Sequence, residues 1–247
     1  MSNKPDTVKT GKCLFEVRFD PALELLDFRG GLATHLISEL GLDAYKISEN
    51  RIDVTKTDKL EAVYFVSTHN AGFQLENTTK IENAKETVNK FINALISFDK
   101  FHPKKIMRLG ARWQHFTFKR SYTFEMIKTA FQTNVANPTP KIVSGFSGES
   151  IFDIGLPLRL QGDGYKCHVM SGPMKNDQLL AEVISNKKAY QIESIGHSGL
   201  FIDADAFSEN LGGIDFNSIR EKGEKLFEIA ANHVTTLNGI VFDQQHG

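Results

Sequence analysis

Residues 104–118 read KKIMRLGARWQHFTF, and the alternation of their side chains decides how the chain is read. In an extended strand, successive side chains point to opposite faces. Even positions then carry Lys104, Arg108, Gly110, Arg112 and Gln114, and odd positions carry Met107, Leu109, Ala111, Trp113 and His115. One face is apolar and belongs against a core; the other is cationic. No Asp or Glu occurs from Lys100 to Phe124, so Lys119 and Arg120 extend the basic strip. Gly110, between the two arginines, leaves room for a ligand or another backbone to approach. Guanidinium forks suit phosphates and carboxylates alike. Trp113, Phe116 and Phe118 add rings that stack on bases where exposed. Lys104, Arg108, Arg112, Trp113, Lys119 and Arg120 are therefore the candidate residues for binding a partner or a polyanion. The competing reading is a solvated strand face whose arginines pair with acids on neighbouring strands.

Upstream of this strand the pattern gives a strand in CLFEVRF (13–19) and a helix in LDFRGGLATHLISELG (26–41), with Asp27 as its cap and Gly41 as its stop. Two strands follow, AYKISENRIDV (44–54) and EAVYFVSTHNAGFQL (61–75), and then a helix, IENAKETVNKFINALISF (81–98), with Val88, Phe91, Ile92 and Leu95 at i, i+3, i+4 and i+7. The order β-α-β-β-α-β is ferredoxin-like. Downstream, YTFEMIKTAFQ (122–132) reads as a helix. NPTP (137–140) and SGFSGES (144–150) read as a flexible joint. IFDIGLPLRLQ (151–161), YKCHVM (165–170), LLAEVISNKKAYQI (179–192) and GLFIDADAF (199–207) read as strands, and a long helix runs from residue 216 to 237. Gly223 weakens that helix unless something packs closely on it. The expected fold class is α+β: two ferredoxin-like lobes with a mixed or antiparallel sheet and helices on one face. Residues 1–11 are expected as a flexible N-terminal tail, 12–120 as the N-terminal lobe and 121–247 as the C-terminal lobe.

Composition narrows the function classes. The 247 residues are 40% hydrophobic and 24% charged, which suits a packed globular chain. The net charge of −1 means that any polyanion site must be a local patch. Cys13 and Cys167 sit in alternating apolar runs and read as buried thiols, without the spacing of a zinc site. No secretory h-region opens the sequence and no apolar run spans a bilayer, so a cytoplasmic protein with no membrane partner is expected.

Asp203 and Asp205 stand two apart in GLFIDADAF and share a strand face. Paired carboxylates can hold a hard cation such as magnesium or split their proton affinities for acid–base work. Both uses need more, either further oxygen ligands or a positioned substrate, and Glu182 and Glu193 are candidates only where the fold brings them close. The plainer reading is a pair salt-bridged opposite Arg108 and Arg112. SGFSGES lacks the lysine of a phosphate loop, and no Gly-x-Ser-x-Gly elbow occurs.

The Arg-x-Gly-x-Arg-aromatic strand of Arg108, Gly110, Arg112 and Trp113, the Asp-x-Asp strand of Asp203 and Asp205, the early FEVRF strand and the terminal helix together resemble a sporadically distributed prokaryotic family of similar length. That family is catalogued without a known function. The resemblance implies no activity and no catalytic residues; its patchy distribution implies mobile or phage-defence genes. Three functions are expected in turn. The first is a non-enzymatic binding or scaffold subunit of a prokaryotic assembly, with a protein partner or as a homo-oligomer and without a cofactor. The second is an RNA- or DNA-binding module using strand 104–120. The third is a metal-dependent enzyme at Asp203 and Asp205.

Overall fold

A computed structural model of the chain describes residues 6–57, 59–137, 153–192, 195–213 and 216–242. Among these, nine strands form one antiparallel sheet in the order β2-β3-β4-β5-β1-β6-β9-β8-β7. They are β1 (Thr7–Phe19), β2 (Ala44–Ile47), β3 (Arg51–Lys56), β4 (Lys59–Ser67), β5 (Asn70–Glu76), β6 (Ile106–Lys119), β7 (Leu156–Gly162), β8 (Tyr165–Lys175) and β9 (Ser198–Gly212). The long helices are α1 (Arg29–Leu40), α2 (Ile81–Ile96), α3 (Phe124–Phe131) and α4 (Phe216–Phe242).

The decisive strand folds as its alternation dictates. Leu109, Ala111 and Trp113 of β6 are buried and join Cys13, Phe15 and Val17 of β1 and Ala204 and Ala206 of β9 in one core. The alternation slips at the strand's start, where a bulge between Ile106 and Arg108 buries Ile106 and leaves Met107 38% exposed. Leu32 and Leu36 of α1, Phe91 and Leu95 of α2, Ile127 and Phe131 of α3 and Phe227 of α4 close the same core, so the four long helices share one face of the sheet. Phe15, Phe73 and Phe227 stack at centroid separations of 5.4 to 6.4 Å. Each buried phenylalanine contributes roughly 1.5–3 kcal/mol. Gly223 allows this: a Cβ there would lie 2.7 Å from the Phe15 ring, so the glycine lets α4 settle directly on β1. Gly41 ends α1 in the left-handed conformation at φ 63°. The cap of α1 is Phe28 rather than Asp27, and its side chain makes no capping bond.

The described strands depart from the expected ones in three places. Each of the two strands expected at 44–54 and 61–75 is a hairpin, β2–β3 and β4–β5, broken at polar Ser48–Asn50 and at Thr68-His69. Residues 7–11, expected in a loose tail, are strand: Thr7 pairs with Lys119 at the far end of β6. LLAEVISNKKAYQI is not a strand but a run of helical turns, Leu179–Val183 and Lys187–Ala189. Its apolar positions 179, 180, 183 and 184 repeat at helical spacing, and it crosses the second face of the sheet. There Leu179, Ile184, Tyr190 and Ile195 form a small second core with Phe116, Phe118 and Phe201.

The division at residue 120 is not a break in the sheet or the core, since β6 and β9 pair from Thr117↔Leu200 to Ile106↔Gly212 and the main core draws on both halves. Residues 138–150 of the expected joint, with Glu193, lie outside the described residues. Among the described residues no helix is long and apolar enough to cross a membrane.

Candidate functional site: the uncovered face of β6 and β9

From Arg108 onward the even positions of β6 face away from the helices, as do Glu16 and Arg18 of β1, Asp203 and Asp205 of β9 and Lys166 of β8. The alternation that buries Trp113 brings the basic strip and the Asp-x-Asp pair onto adjacent strands of this face. Register places Arg112 opposite Asp205 and Gln114 opposite Asp203, but the arginine contacts run diagonally. Arg112 grips Asp203 with two bonds, Nε to Oδ1 at 2.8 Å and Nη2 to Oδ2. Gln114 Nε2 adds a third donor to Asp203 at 3.2 Å. Arg108 reaches forward along its own strand, over Gly110, to Asp205, Nη2 to Oδ2 at 3.0 Å.

Gly110 makes that reach simple. Its open side is filled by the Arg108 guanidinium, 3.7 Å from where a Cβ would stand, so the space expected for a ligand is taken by the protein. The same guanidinium lies 4.4 Å from the centroid of the Phe207 ring, opposite Gly110 in register. Glu16 extends the chain of pairs: Arg18 Nε donates to it at 2.9 Å, Asn70 Nδ2 at 2.6 Å, and Arg108 Nη1 stands 3.8 Å away. Lys166 pairs with Glu209 at 2.9 Å. Arg18, Arg108, Arg112 and Lys166 are thus matched by Glu16, Asp203, Asp205 and Glu209.

The other candidate residues scatter. Lys104 is exposed before β6 begins. Trp113 is 3% exposed on the helix side, and Phe116 and Phe118 are buried, so none of the three rings is available to stack on a base. Lys119 donates to the Phe242 carbonyl at 3.3 Å and lies over the Tyr122 and Phe242 rings, closing the end of α4. The backbone of Arg120 is tied to Asp6. For the metal reading, Asp203 and Asp205 each carry a guanidinium partner, Glu182 is exposed on the crossing segment, and among the described residues no group of three His, Cys, Asp or Glu side chains converges.

Sequence reasoning missed Lys12. It lies on the same face but under the crossing segment, with Nζ donating to Val183 O at 2.9 Å and Ser185 Oγ at 3.1 Å. Burial lowers its proton affinity, and Glu76, its register partner, acts against that shift. Tyr190 donates to Glu76 at 2.7 Å, completing a buried polar network. The alternation Lys12, Leu14, Glu16, Arg18 put Lys12 on this face; what hid its burial was the misread segment 179–192. Cys13 and Cys167 are buried free thiols, and burial with the nearby Asp205 and Asp203 charges pushes Cys167 up to about 12, which keeps it a poor nucleophile.

No family model matches the chain, and no match to it was found among curated proteins.

Proposed function

We propose that the chain is a non-enzymatic binding subunit of a prokaryotic multiprotein assembly, within the sporadically distributed family its sequence resembles, and that it docks a protein partner on the uncovered face across β1, β6, β9 and β8. The observation that supports this reading is the matching of charge on that face: four cations and four carboxylates paired among themselves. A polyanion needs a surplus of positive charge to release counterions, and this face offers little. A protein surface of alternating acid and base is complementary to it, and such patterns give register and specificity more than raw affinity. Arg112, 44% exposed, and Met170, 49% exposed, are residue types that interfaces favour. Phage defence is the setting we attach to this subunit, on the resemblance alone.

The finer fold reading belongs to the same proposal. The order β6-β1-β5-β4, with α1 and α2 as crossovers, supports a ferredoxin-like first lobe to which the β2–β3 hairpin is added. The second half runs β6-β9-β8-β7, a different order, so we read it as a second lobe that shares β6 without repeating the first.

The test is a native pull-down of the full chain beside two doubly substituted forms. Arg112→Glu with Met170→Glu alters the uncovered face, and Glu86→Lys with Lys90→Glu alters the solvent side of α2. The proposal expects a nuclease-resistant protein partner that the first pair loses and the second keeps. Capture of nucleic acid with a steep salt dependence would replace it with the second reading. Equal capture by both forms would remove the face from the argument.

A further inference from the structure

On the helix side, a cavity of about 700 Å³ opens between the ends of β1 and β6, the start of α2 and the last turns of α4. It lies outside the charged face described above. Volumes of this order hold small-molecule ligands. Its wall is unusual for the edge of a core. Trp113, His115 and Thr117, three successive inward positions of β6, line it and are 3%, 4% and 2% exposed. Each carries a buried polar atom with no hydrogen-bond partner among the described residues: Trp113 Nε1, His115 Nδ1 and Thr117 Oγ1. From α4, Asn238 spends its Nδ2 on Val234 O at 2.9 Å and leaves Oδ1 unpaired. An unpaired buried polar group is costly, and such a cluster on one wall calls for a partner that enters from outside.

The rim indicates the charge of that partner. Lys9, Lys80 and Lys119 border the cavity, with Glu82 as the acid among its described lining residues. Among the described residues Lys9 and Lys80 form no ion pair. Lys80 is also the N-cap of α2 and its side chain makes no capping bond, and the first-turn amides of a helix favour an anion. The Lys9 charge is felt at His115, where it adds to burial in keeping the imidazole neutral. A neutral imidazole can donate at one nitrogen and accept at the other.

We infer that this cavity binds a small organic anion. A carboxylate or phosphate is held at Lys9, Lys80 and the start of α2, and a polar body bearing both donors and acceptors meets Trp113, His115, Thr117 and Asn238. Lys119, committed to the end of α4, closes the far side.

The chain contains one tryptophan, so Trp113 fluorescence reports on the wall without a label. The full-length protein is titrated with inorganic phosphate, citrate and adenosine 5′-monophosphate at millimolar concentrations. A saturable change in Trp113 emission with at least one probe is expected. The nucleotide binding tighter than phosphate would show that the body is recognised as well as the head. Lys9→Glu and Lys80→Glu each weaken binding about tenfold, the effect of losing one charge-assisted contact. Lys90→Glu, on the exposed side of α2, leaves it unchanged. Thr117→Val removes an unpaired hydroxyl at constant shape, so it lowers affinity while the melting temperature holds or rises. A flat emission signal with all three probes, or equal weakening by Lys80→Glu and Lys90→Glu, overturns the inference.

Discussion

The helix-covered and uncovered faces of the sheet are built from the same strands, β6 and β9, one residue apart in phase. On the covered side Ala111 opposes Ala206 and Trp113 opposes Ala204, which leaves room for the indole under Phe227 of α4. On the uncovered side Arg112 and Gln114 oppose Asp205 and Asp203. The covered side holds the fold together through buried area, which is large and insensitive to salt. The uncovered side contributes pairs half open to water, whose attraction is screened and offset by side-chain ordering. Identical hydrogen-bonded backbones therefore carry unequal energies. A face that stabilises little is free to serve recognition, whereas changes on the other face are felt throughout the core.

Phe227→Ala should mark the extreme of this contrast. The ring touches Phe15, Phe73 and Trp113, and its loss should reduce unfolding free energy by about 3–5 kcal/mol in urea titrations. Met170→Ala, on the uncovered side, should stay within about 0.5 kcal/mol. Similar costs for the two would show that the second face is covered in solution.

The covered side should also dominate the response to acid through His115, whose proton affinity falls to about 4 because it is buried and Lys9 is near. In the unfolded chain the imidazole takes up a proton near pH 6.5. Between those values the unfolded state binds more protons, so stability present above pH 6.5 is lost as the pH falls towards 4. The loss from this one group is roughly 3 kcal/mol. His115→Gln should flatten that acid limb in melts taken at successive pH values; an unchanged slope would mean that His115 is reached by water in the native state.

The same difference in phase made the sequence informative for one face and not for the other's cover. Period-two alternation separated Leu109, Ala111 and Trp113 from Arg108 and Arg112, and helical spacing marked α2 and α4, because burial on one side leaves a periodic trace. Gly223 was ambiguous until Phe15 was seen beneath it; a close approach is a property of two distant segments, and one of them cannot report it. Segment 179–192 failed for a related reason. Val183, Ile184 and Tyr190 favour a strand locally, yet with β8 already paired on both sides by β7 and β9 the segment is left to cross the sheet as helical turns. The cavity had no sequence signal, because Trp113, His115 and Thr117 read as three ordinary inward positions and their missing partners appear only when α4 is in place.

The smallest expected effect sharpens the comparison most. Arg112 and Asp203 form the best-formed pair of the uncovered face, with two parallel bonds and Gln114 as a further donor. The Arg112 side chain is nonetheless 44% exposed. A double-mutant cycle with Arg112→Ala, Asp203→Ala and both changes together should give a coupling of about 0.2–1 kcal/mol. The coupling should shrink as salt is raised, since water reaches the pair. If the face is the docking surface proposed above, the same cycle measured on partner affinity should give a larger coupling than on stability, because docking removes the water that screens the pair. A coupling on stability of several kcal/mol that ignores salt would instead describe a pair already desolvated in the isolated chain, and it would shift the case for recognition from this face to the cavity beneath α4.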